Sequence, residues 1–184
     1  MPKVQTNKET LIKKSMLVFM KNGYYHTTLS DLAKACGIEK PHFYYYFKDK
    51  KDLMREVLIY ASSHIGKLVF DIAYEDKREA QVRLDIMLNN VLKIHTRNEY
   101  GCLMGNTLLE TIGNEPYFKP ILSSYFDRWR KALVYLYSTS HKENIAIDMA
   151  YEDIAKLQGS IMLMRLYSNK NIFEKTIKDI KRRI

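Results

Sequence analysis

The fold is decided by the stretch TTLSDLAKACGIEKPHFYYYF, which runs from residue 27 to residue 47. Its first half predicts a helix start, because Thr28 and Asp31 stand at the spacing of a capping box. Gly37 then supplies the positive φ that a tight turn between two helices needs. Pro41 suits the first turn of another short helix, where its missing N–H costs nothing. Two short helices joined by a glycine-containing turn are typical of a helix-turn-helix.

The second helix of this pair is unusually rich in aromatic residues. Phe43 and Phe47 are four positions apart, so we expect both to face inward. Residues 44–46 are three consecutive tyrosines, and consecutive helical side chains point about 100° apart, so they cannot all be buried. In a helix-turn-helix this second helix enters the major groove of DNA with its N-terminal residues toward the base edges. The alternative is an aromatic surface patch used for contact with another protein.

The charge distribution also favours a polyanionic partner. The chain has 184 residues, a formal net charge of +9 and 46 % hydrophobic residues, which predicts a packed core rather than disorder. The first 53 residues contain ten lysines and only five acidic residues, so positive charge is concentrated at the front. Such a concentration favours one anion-binding surface. The alternative is a solvated lysine-rich face without a partner.

Apolar residues in the rest of the chain recur at helical rather than strand spacing. Asn22-Gly23 predicts the end of a first helix, and Asp49 is placed to cap a long helix from about Lys50 to Tyr74. We therefore predict an all-α fold of about nine helices. No stretch approaches the ~20 apolar residues of a membrane-spanning helix. Cys36 and Cys102 match no metal-ligand spacing and form no disulfide framework, which favours a cytoplasmic location.

The N-terminal third of the chain resembles the TetR family of transcriptional regulators. The residues that carry the resemblance are Thr10-Leu11-Ile12, Leu17-Val18-Phe19, Asn22-Gly23-Tyr24, Thr27 to Ala33, Cys36-Gly37-Ile38 and Phe43 to Leu53. The resemblance implies an all-helical homodimer with a helix-turn-helix DNA-binding domain over residues 1–48. A helical effector-binding and dimerisation domain would then occupy residues 49–184. Such proteins commonly repress a promoter by binding a palindromic operator and leave it on binding a small molecule.

The same resemblance assigns roles in binding double-stranded DNA. Thr27 and Thr28 would contact backbone phosphate. Tyr44, Tyr46 and Lys50 match positions that clamp phosphate, and Lys48 adds positive charge beside them. The positions that read bases would be Lys40, Pro41, His42 and Tyr45. Pro41 and His42 depart from the small residues frequent there, so the operator sequence is not predictable.

The resemblance further implies an effector cavity among the later helices. Nine methionines and one tryptophan suit an adaptable, largely apolar pocket. The candidate lining residues are His64, Phe70, Met87, Val91, His95, Cys102, Met104, Leu108, Phe126, Trp129 and Met162. The alternative is that these residues are ordinary core. For Cys102 in particular, a sensor of electrophiles and an inert core thiol both remain open.

The segment from residue 147 to residue 167 is apolar on two sides and must be covered on two sides. The second cover can be another copy of the chain, and a further amphipathic helix follows, so we predict a helical homodimer interface. The predicted interface residues are Ile154, Leu157, Ile161, Met164, Phe173, Ile177 and Ile180. The alternative is an ordinary buried core helix.

Other classes of protein find little support in the sequence. It contains no Gly-rich phosphate loop, no Gly-x-Ser-x-Gly elbow and no His-Glu-x-x-His motif, so we expect no enzyme activity. His95 and Glu99 are four residues apart, but two ligands do not make a metal site, and we expect no metal or cofactor. No helix combines a dense basic face with an apolar one, so we expect no membrane binding. A DNA-bound scaffold that acts through protein contacts, without an effector, is the alternative function.

Overall fold

The computed structural model describes residues 7–184, and this part of the chain is helical and contains no β-strand. Its nine α-helices are α1 (Lys8–Asn22), α2 (Leu29–Cys36), α3 (Lys40–Tyr46), α4 (Lys50–Ile65), α5 (Ala80–Arg97), α6 (Leu103–Thr111), α7 (Lys119–Tyr137), α8 (Glu143–Leu166) and α9 (Lys170–Ile180). The predicted all-α fold and helix number are therefore confirmed over the described range. Within that range, no helix is both long enough and apolar enough to cross a membrane.

The boundaries of the first helices follow from the local sequence, as predicted. Helix α1 ends where Gly23 adopts φ 78°. The side chain of Thr28 accepts a hydrogen bond from the backbone N–H of Asp31, whose carboxylate accepts the N–H of Thr28, so the capping box is complete. Gly37 ends α2 in the left-handed region with φ 71°, a conformation that glycine adopts without steric cost.

The described residues form two compact units. Unit 1 comprises residues 7–61 together with Leu103–Leu122, and unit 2 comprises Ser62–Cys102 together with Ser123–Ile184. Unit 1 therefore combines the N-terminal helices with α6, which is distant in sequence. The predicted division at residues 48 and 49 separates DNA binding from effector binding and stays a prediction. Residues 1–6 of that predicted domain lie outside the described residues.

In unit 1, α1 packs against α2, α2 packs against α3, and α1 also meets α6. Phe43 and Phe47 are 2 % and 3 % exposed, which confirms that both rings of the α3 segment face inward. The other large buried side chains of this core are Leu11, Phe19, Leu32, Leu53, Met54, Val57 and Leu58. Burying a side chain of this size stabilises the fold by about 1.5–3 kcal/mol. The two phenylalanines therefore hold α3 against the core, and Tyr44 and Tyr45 on its opposite side are exposed.

In unit 2, α9 packs against both α8 and α5. The rings of Phe70, Tyr125 and Trp129 form an aromatic cluster, with centroids 5.2 Å apart for Phe70 and Tyr125 and 6.0 Å for Phe70 and Trp129. Phe126 extends this cluster by stacking on Trp129 at 6.4 Å. Apolar and aromatic residues that recur at helical spacing in this part of the sequence therefore pack against one another within one chain.

The predicted α-helix from Lys50 to Tyr74 is wrong in its last third. The α-helical pattern ends at Ile65 and is followed by a π-helical turn over Gly66–Phe70 and a 3₁₀ turn over Asp71–Tyr74. The guanidinium of Arg128 occupies the space where a Cβ at residue 66 would lie, and Asn90 donates a hydrogen bond to the carbonyl of Leu68 at 2.7 Å. A π turn widens the helix by one residue, and these two side chains accommodate it.

Candidate nucleic-acid interface

Helix α3 exposes its polar and aromatic side, whereas its two phenylalanines are buried. Tyr45 is 83 % exposed and Tyr44 is 60 % exposed. Lys40, Pro41 and His42 are exposed as well. The residues predicted to read bases therefore all lie on the free side of one helix, where they can reach a groove without unfolding.

Tyr46 and Lys48, which follow on this side, differ in solvent exposure. Tyr46 is only partly exposed, and its ring meets that of Tyr45 edge-on at 4.9 Å. Lys48 is exposed, and its backbone N–H donates to the carboxylate of Asp52 at 3.2 Å. The ammonium of Lys48 extends from a fixed backbone, which suits a phosphate contact.

The two threonines predicted to contact phosphate have different environments. Thr28 is exposed at the start of α2, and its hydroxyl donates to the carboxylate of Asp31 at 2.6 Å. These hydrogen bonds from Thr28 lower the pKa of Asp31 below its usual value. Thr27 is only 1 % exposed, and its hydroxyl donates to the carbonyl of Gly23 at 2.6 Å. In this conformation Thr28 can reach a phosphate, whereas Thr27 supports the loop.

Lys50 has a structural role that the sequence did not indicate. Its ammonium donates to the carbonyls of Tyr24 at 2.8 Å and Thr27 at 2.9 Å, and lies 4.5 Å from the ring centroid of Tyr24. Burial lowers its pKa below the usual lysine value. An ammonium has three N–H donors, so only one remains for the predicted phosphate contact.

The loop of residues 23–28, which we call the α1–α2 loop, is also held by α6. The carboxylate of Glu110 accepts the backbone N–H of Tyr24 at 2.9 Å and that of Tyr25 at 2.7 Å. The ring of Phe118 packs edge-on against that of Tyr24 at 5.1 Å. Tyr25 and Glu110 are 85 positions apart in the sequence, so local residue spacing could not have indicated the contact between them.

The predicted effector-pocket residues are mostly packed. Those that are buried are Phe70, Met87, Val91, His95, Cys102, Met104 and Trp129; Leu108 and Phe126 are half-buried; His64 and Met162 are exposed. Met104 and Leu108 belong to unit 1, and the others belong to unit 2. None of them lines a surface cleft of about 500 Å³ in unit 2, which is formed by residues 76–81, Arg83, Thr139, Ser140 and Ile184.

His95 is a buried neutral base. Burial lowers its pKa to about 4, although a hydrogen bond to the backbone of Gly101 opposes the shift. The guanidinium of Arg165 donates to the carbonyls of His95 and Asn98. Cys102 is 4 % exposed, and Gln158 donates to its sulfur at 3.6 Å. These polar groups lie in unit 2 among apolar residues, and they set the electrostatics of its interior.

The predicted interface residues of α8 and α9 are largely buried inside the chain. Leu157, Ile161, Met164, Phe173, Ile177 and Ile180 are at most 3 % exposed, and Ile154 is half-buried. They are covered by other parts of the chain, and their role in a dimer interface stays a prediction. The other side of α8 is apolar and free, because Tyr151, Met162 and Leu166 are 59 %, 62 % and 67 % exposed.

Residues 7–184 contain no group of three or more His, Cys, Asp or Glu side chains that could hold a metal ion. The candidate site consists of the short helix α3 with its exposed aromatic side, the capped helix α2 before it, and the lysines that follow it. This arrangement is that of a helix-turn-helix DNA-binding protein.

Comparison with known proteins shows what the chain is similar to. The model described as "Bacterial regulatory proteins, tetR family" matches residues 11–57. An uncharacterized HTH-type transcriptional regulator in the lacX 3' region of Lactococcus lactis is 26 % identical, covering 93 % of this chain and 89 % of its own. The HTH-type transcriptional repressor DhaR of Mycobacterium sp. is 26 % identical, covering 89 % and 84 %.

Solved structures share the fold over the whole chain. The crystal structure of a TetR transcriptional regulator from Legionella pneumophila superposes with a TM-score of 0.89 at 20 % identity, covering all of both chains. Residues 11–57 thus match the DNA-binding domain of TetR-family regulators, and the chain as a whole shares the fold of TetR-family structures.

Proposed function

We propose that the protein is a cytoplasmic, homodimeric repressor that binds a palindromic operator through α2 and α3. The observation that carries the proposal is the exposure of Tyr44 and Tyr45 on a helix fixed by Phe43 and Phe47. Repression is supported by the likeness to DhaR, which is named a repressor. Lys40, Pro41, His42 and Tyr45 read bases, and Thr28, Tyr44, Tyr46 and Lys48 contact phosphate.

The free side of α8 supplies the dimer interface in this proposal. Tyr151, Met162 and Leu166 offer exposed apolar area on a helix whose opposite side already packs against α9. Helices α8 and α9 of two chains would form a four-helix interface, in which each copy offers the same patch. The predicted interface is thereby moved from the buried side of α8 to its exposed side.

A small, largely apolar effector would release the protein from DNA. The aromatic cluster of Phe70, Phe126 and Trp129 in unit 2 supports a site of this chemistry, because aromatic side chains line most pockets for such ligands. The alternative is a DNA-bound scaffold without an effector. It is favoured by the close packing of Met87 and Val91, which leaves these predicted pocket residues buried.

The proposal is tested by selecting binding sites from randomised duplex DNA and measuring affinities by gel shift. We expect a palindromic sequence to be enriched and affinity to fall steeply with salt. Tyr45→Ala should change the preferred sequence more than the affinity for random DNA. Lys48→Ala should weaken binding to both kinds of DNA and reduce the salt slope by about one unit. Equal effects of both variants on every sequence would contradict these roles.

Dimerisation and effector binding are tested separately. Sedimentation should show a dimer at micromolar concentration, and Met162→Glu should convert it to a monomer, whereas a charge at an exposed site on α1, Leu17→Glu, should not. Screening apolar compounds for release of the enriched operator distinguishes the two functions. Release by a compound that raises the melting temperature supports the effector-responsive repressor, and lack of any such compound favours the scaffold.

A further inference from the structure

The α1–α2 loop receives little support from regular secondary structure. Within it, the N–H of Thr27 reaches the carbonyl of Tyr24 only at 3.4 Å, and the hydroxyl of Thr27 binds the carbonyl of Gly23. Four backbone groups of the loop, the N–H groups of Tyr24 and Tyr25 and the carbonyls of Tyr24 and Thr27, bind side chains from outside the loop. Backbone groups without partners are costly when they are withdrawn from water, so these side chains decide which conformation the loop adopts.

Two ions of opposite charge bind the loop, and both reach the peptide between Tyr24 and Tyr25, Glu110 at its N–H and Lys50 at its carbonyl. Glu110 accepts the N–H groups of Tyr24 and Tyr25, one on each carboxylate oxygen. Lys50 donates to the carbonyls of Tyr24 and Thr27. Hydrogen bonds to charged groups are shorter and about twice as strong as neutral ones. Together these four contacts hold the backbone of the loop at Tyr24, Tyr25 and Thr27.

The position of Glu110 also depends on the glycine at the beginning of the loop. A Cβ at Gly23 would lie 3.0 Å from one carboxylate oxygen of Glu110, closer than side chains normally approach. The positive φ of 78° at Gly23 independently disfavours any other residue. The loop therefore provides both the two N–H donors and the space that one carboxylate needs.

The loop leads directly into the first residue of the helix-turn-helix proper. Thr28 is the N-cap of α2, and α2 packs against α3. We infer that Glu110 is a positioning residue for DNA binding: it fixes the α1–α2 loop, and thereby the direction in which Thr28 and α2 meet the phosphate backbone. The inference rests on the proposed use of α2 and α3 in binding DNA.

The negative charge of Glu110 allows the positioning role to be distinguished from simple repulsion between Glu110 and DNA phosphate. A carboxylate in a DNA-binding unit repels phosphate, so its neutralisation should by itself strengthen binding. If Glu110 positions the loop, the same neutralisation weakens binding. The sign of the change in affinity therefore separates the two effects.

The experiment uses the full-length protein and the duplex enriched from randomised DNA. Glu110→Gln removes the charge, and Glu110→Asp keeps the charge but retracts the carboxylate by one methylene. We expect both variants to bind about tenfold more weakly or worse, as the loss of two charge-assisted hydrogen bonds implies. Affinities are measured well below the melting temperature, and the amide hydrogen exchange of Tyr24 and Tyr25 should accelerate in both variants.

Two control variants complete the test. Glu143→Gln makes the same charge change at an exposed site on α8 and should bind at least as tightly as the wild type. Val57→Ala lowers the melting temperature through the buried core of unit 1 and should leave the affinity unchanged. The inference is overturned if the Glu110 variants bind as tightly as Glu143→Gln, or if Val57→Ala weakens binding equally at a matched loss of melting temperature. Failure of the wild type to enrich any duplex overturns the proposed function itself, and the inference with it.

Discussion

The two units of the molecule use buried or partly buried carboxylates for different purposes. In unit 1, Glu110 accepts hydrogen bonds from two backbone N–H groups of a loop. In unit 2, Asp153 is fully buried and accepts hydrogen bonds from the hydroxyl of Tyr137 at 2.8 Å and the guanidinium of Arg183 at 2.8 and 2.9 Å. The first arrangement fixes a backbone that leads to the DNA-binding helices, and the second connects distant parts of a core.

Asp153 shifts the pKa values of both of its hydrogen-bond partners. Burial, together with the neighbouring carboxylate, raises the pKa of Tyr137 well above its usual value. The hydrogen bonds to Asp153 raise the pKa of Arg183 despite some burial. Asp153 is the buried member of this pair, whereas the side chain of Arg183 is 26 % exposed and also reaches the carboxylate of Glu152 at 3.1 Å. Removing Asp153 therefore chiefly leaves the buried hydroxyl of Tyr137 without an acceptor. The comparison therefore predicts that stability depends mainly on unit 2 and DNA geometry on unit 1.

The largest expected effect is the removal of the buried carboxylate of unit 2. Asp153→Ala leaves the buried Tyr137 hydroxyl without its acceptor and removes the hydrogen bonds between Arg183 and Asp153, although Arg183 keeps Glu152. The free energy of unfolding should therefore fall by about 3 kcal/mol. Urea denaturation at fixed protein concentration measures the loss. The neighbouring exposed carboxylate provides the control, since Glu152→Gln should leave the denaturation midpoint nearly unchanged. Similar losses in both variants would contradict the assigned importance of burial.

The next effect is a loss of stability at acid pH, which arises from His95. Its pKa is about 4 in the folded chain and about 6.5 when unfolded, so the unfolded state binds more protons between these values. Stability should therefore be maximal above pH 6.5 and fall on acidification, by about 2 kcal/mol between pH 7.5 and pH 5. Urea denaturation of the wild type and of His95→Gln at both pH values measures this. The same acid loss in the variant would assign it to other groups.

A smaller loss of stability is expected at the α1–α2 loop. Glu110→Gln keeps one acceptor oxygen and removes the charge, so the free energy of unfolding should fall by about 1–2 kcal/mol. Urea denaturation compares this loss directly with that of Asp153→Ala. A loss as large as that at Asp153 would show that both carboxylates serve stability alike, and the distinction between the two units would fail.

The smallest effect concerns the capping box that follows the loop. Thr28→Ala removes an exposed N-cap hydroxyl from α2 and should destabilise the protein by about 1 kcal/mol. Thr28→Ser retains the hydroxyl and should restore most of the stability. Urea denaturation and helix content by circular dichroism measure both variants. An unchanged Thr28→Ala variant would mean that the loop contacts alone determine where α2 begins.

The parts of the fold that depend on neighbouring residues were predictable from the sequence. Thr28 and Asp31 predicted the start of α2, and Gly23 and Gly37 predicted the ends of α1 and α2, because caps and positive φ angles are local requirements. The inward Phe43 and Phe47 and the exposed tyrosines followed from helical geometry. The base-reading roles of Lys40 and His42 are implied by family resemblance and stay predictions.

The parts that depend on distant residues were not predictable. The contact between Glu110 and Tyr25 joins residues 85 positions apart, and Lys50 was expected at phosphate although it binds two loop carbonyls. Apolar spacing on α8 indicated two covered faces but could not tell which face is covered within the chain, where Leu157 and Ile161 are buried. Their assignment to a dimer interface stays a prediction. The turn at Gly66 depends on Arg128, and apolar spacing through Leu68, Val69 and Ile72 fits a regular helix equally well.

That turn has a consequence for how the chain can change over time. A π-helical turn is equivalent to a one-residue insertion absorbed within a helix, with hydrogen bonding resumed on either side of it. Deleting one residue between Gly66 and Phe70 would convert the segment to a regular helix, and the carbonyl that now accepts the hydrogen bond from Asn90 would be replaced by that of a neighbouring residue. This point of the chain can therefore gain or lose a residue without losing its helical character, which makes it a natural place for related sequences to differ in length.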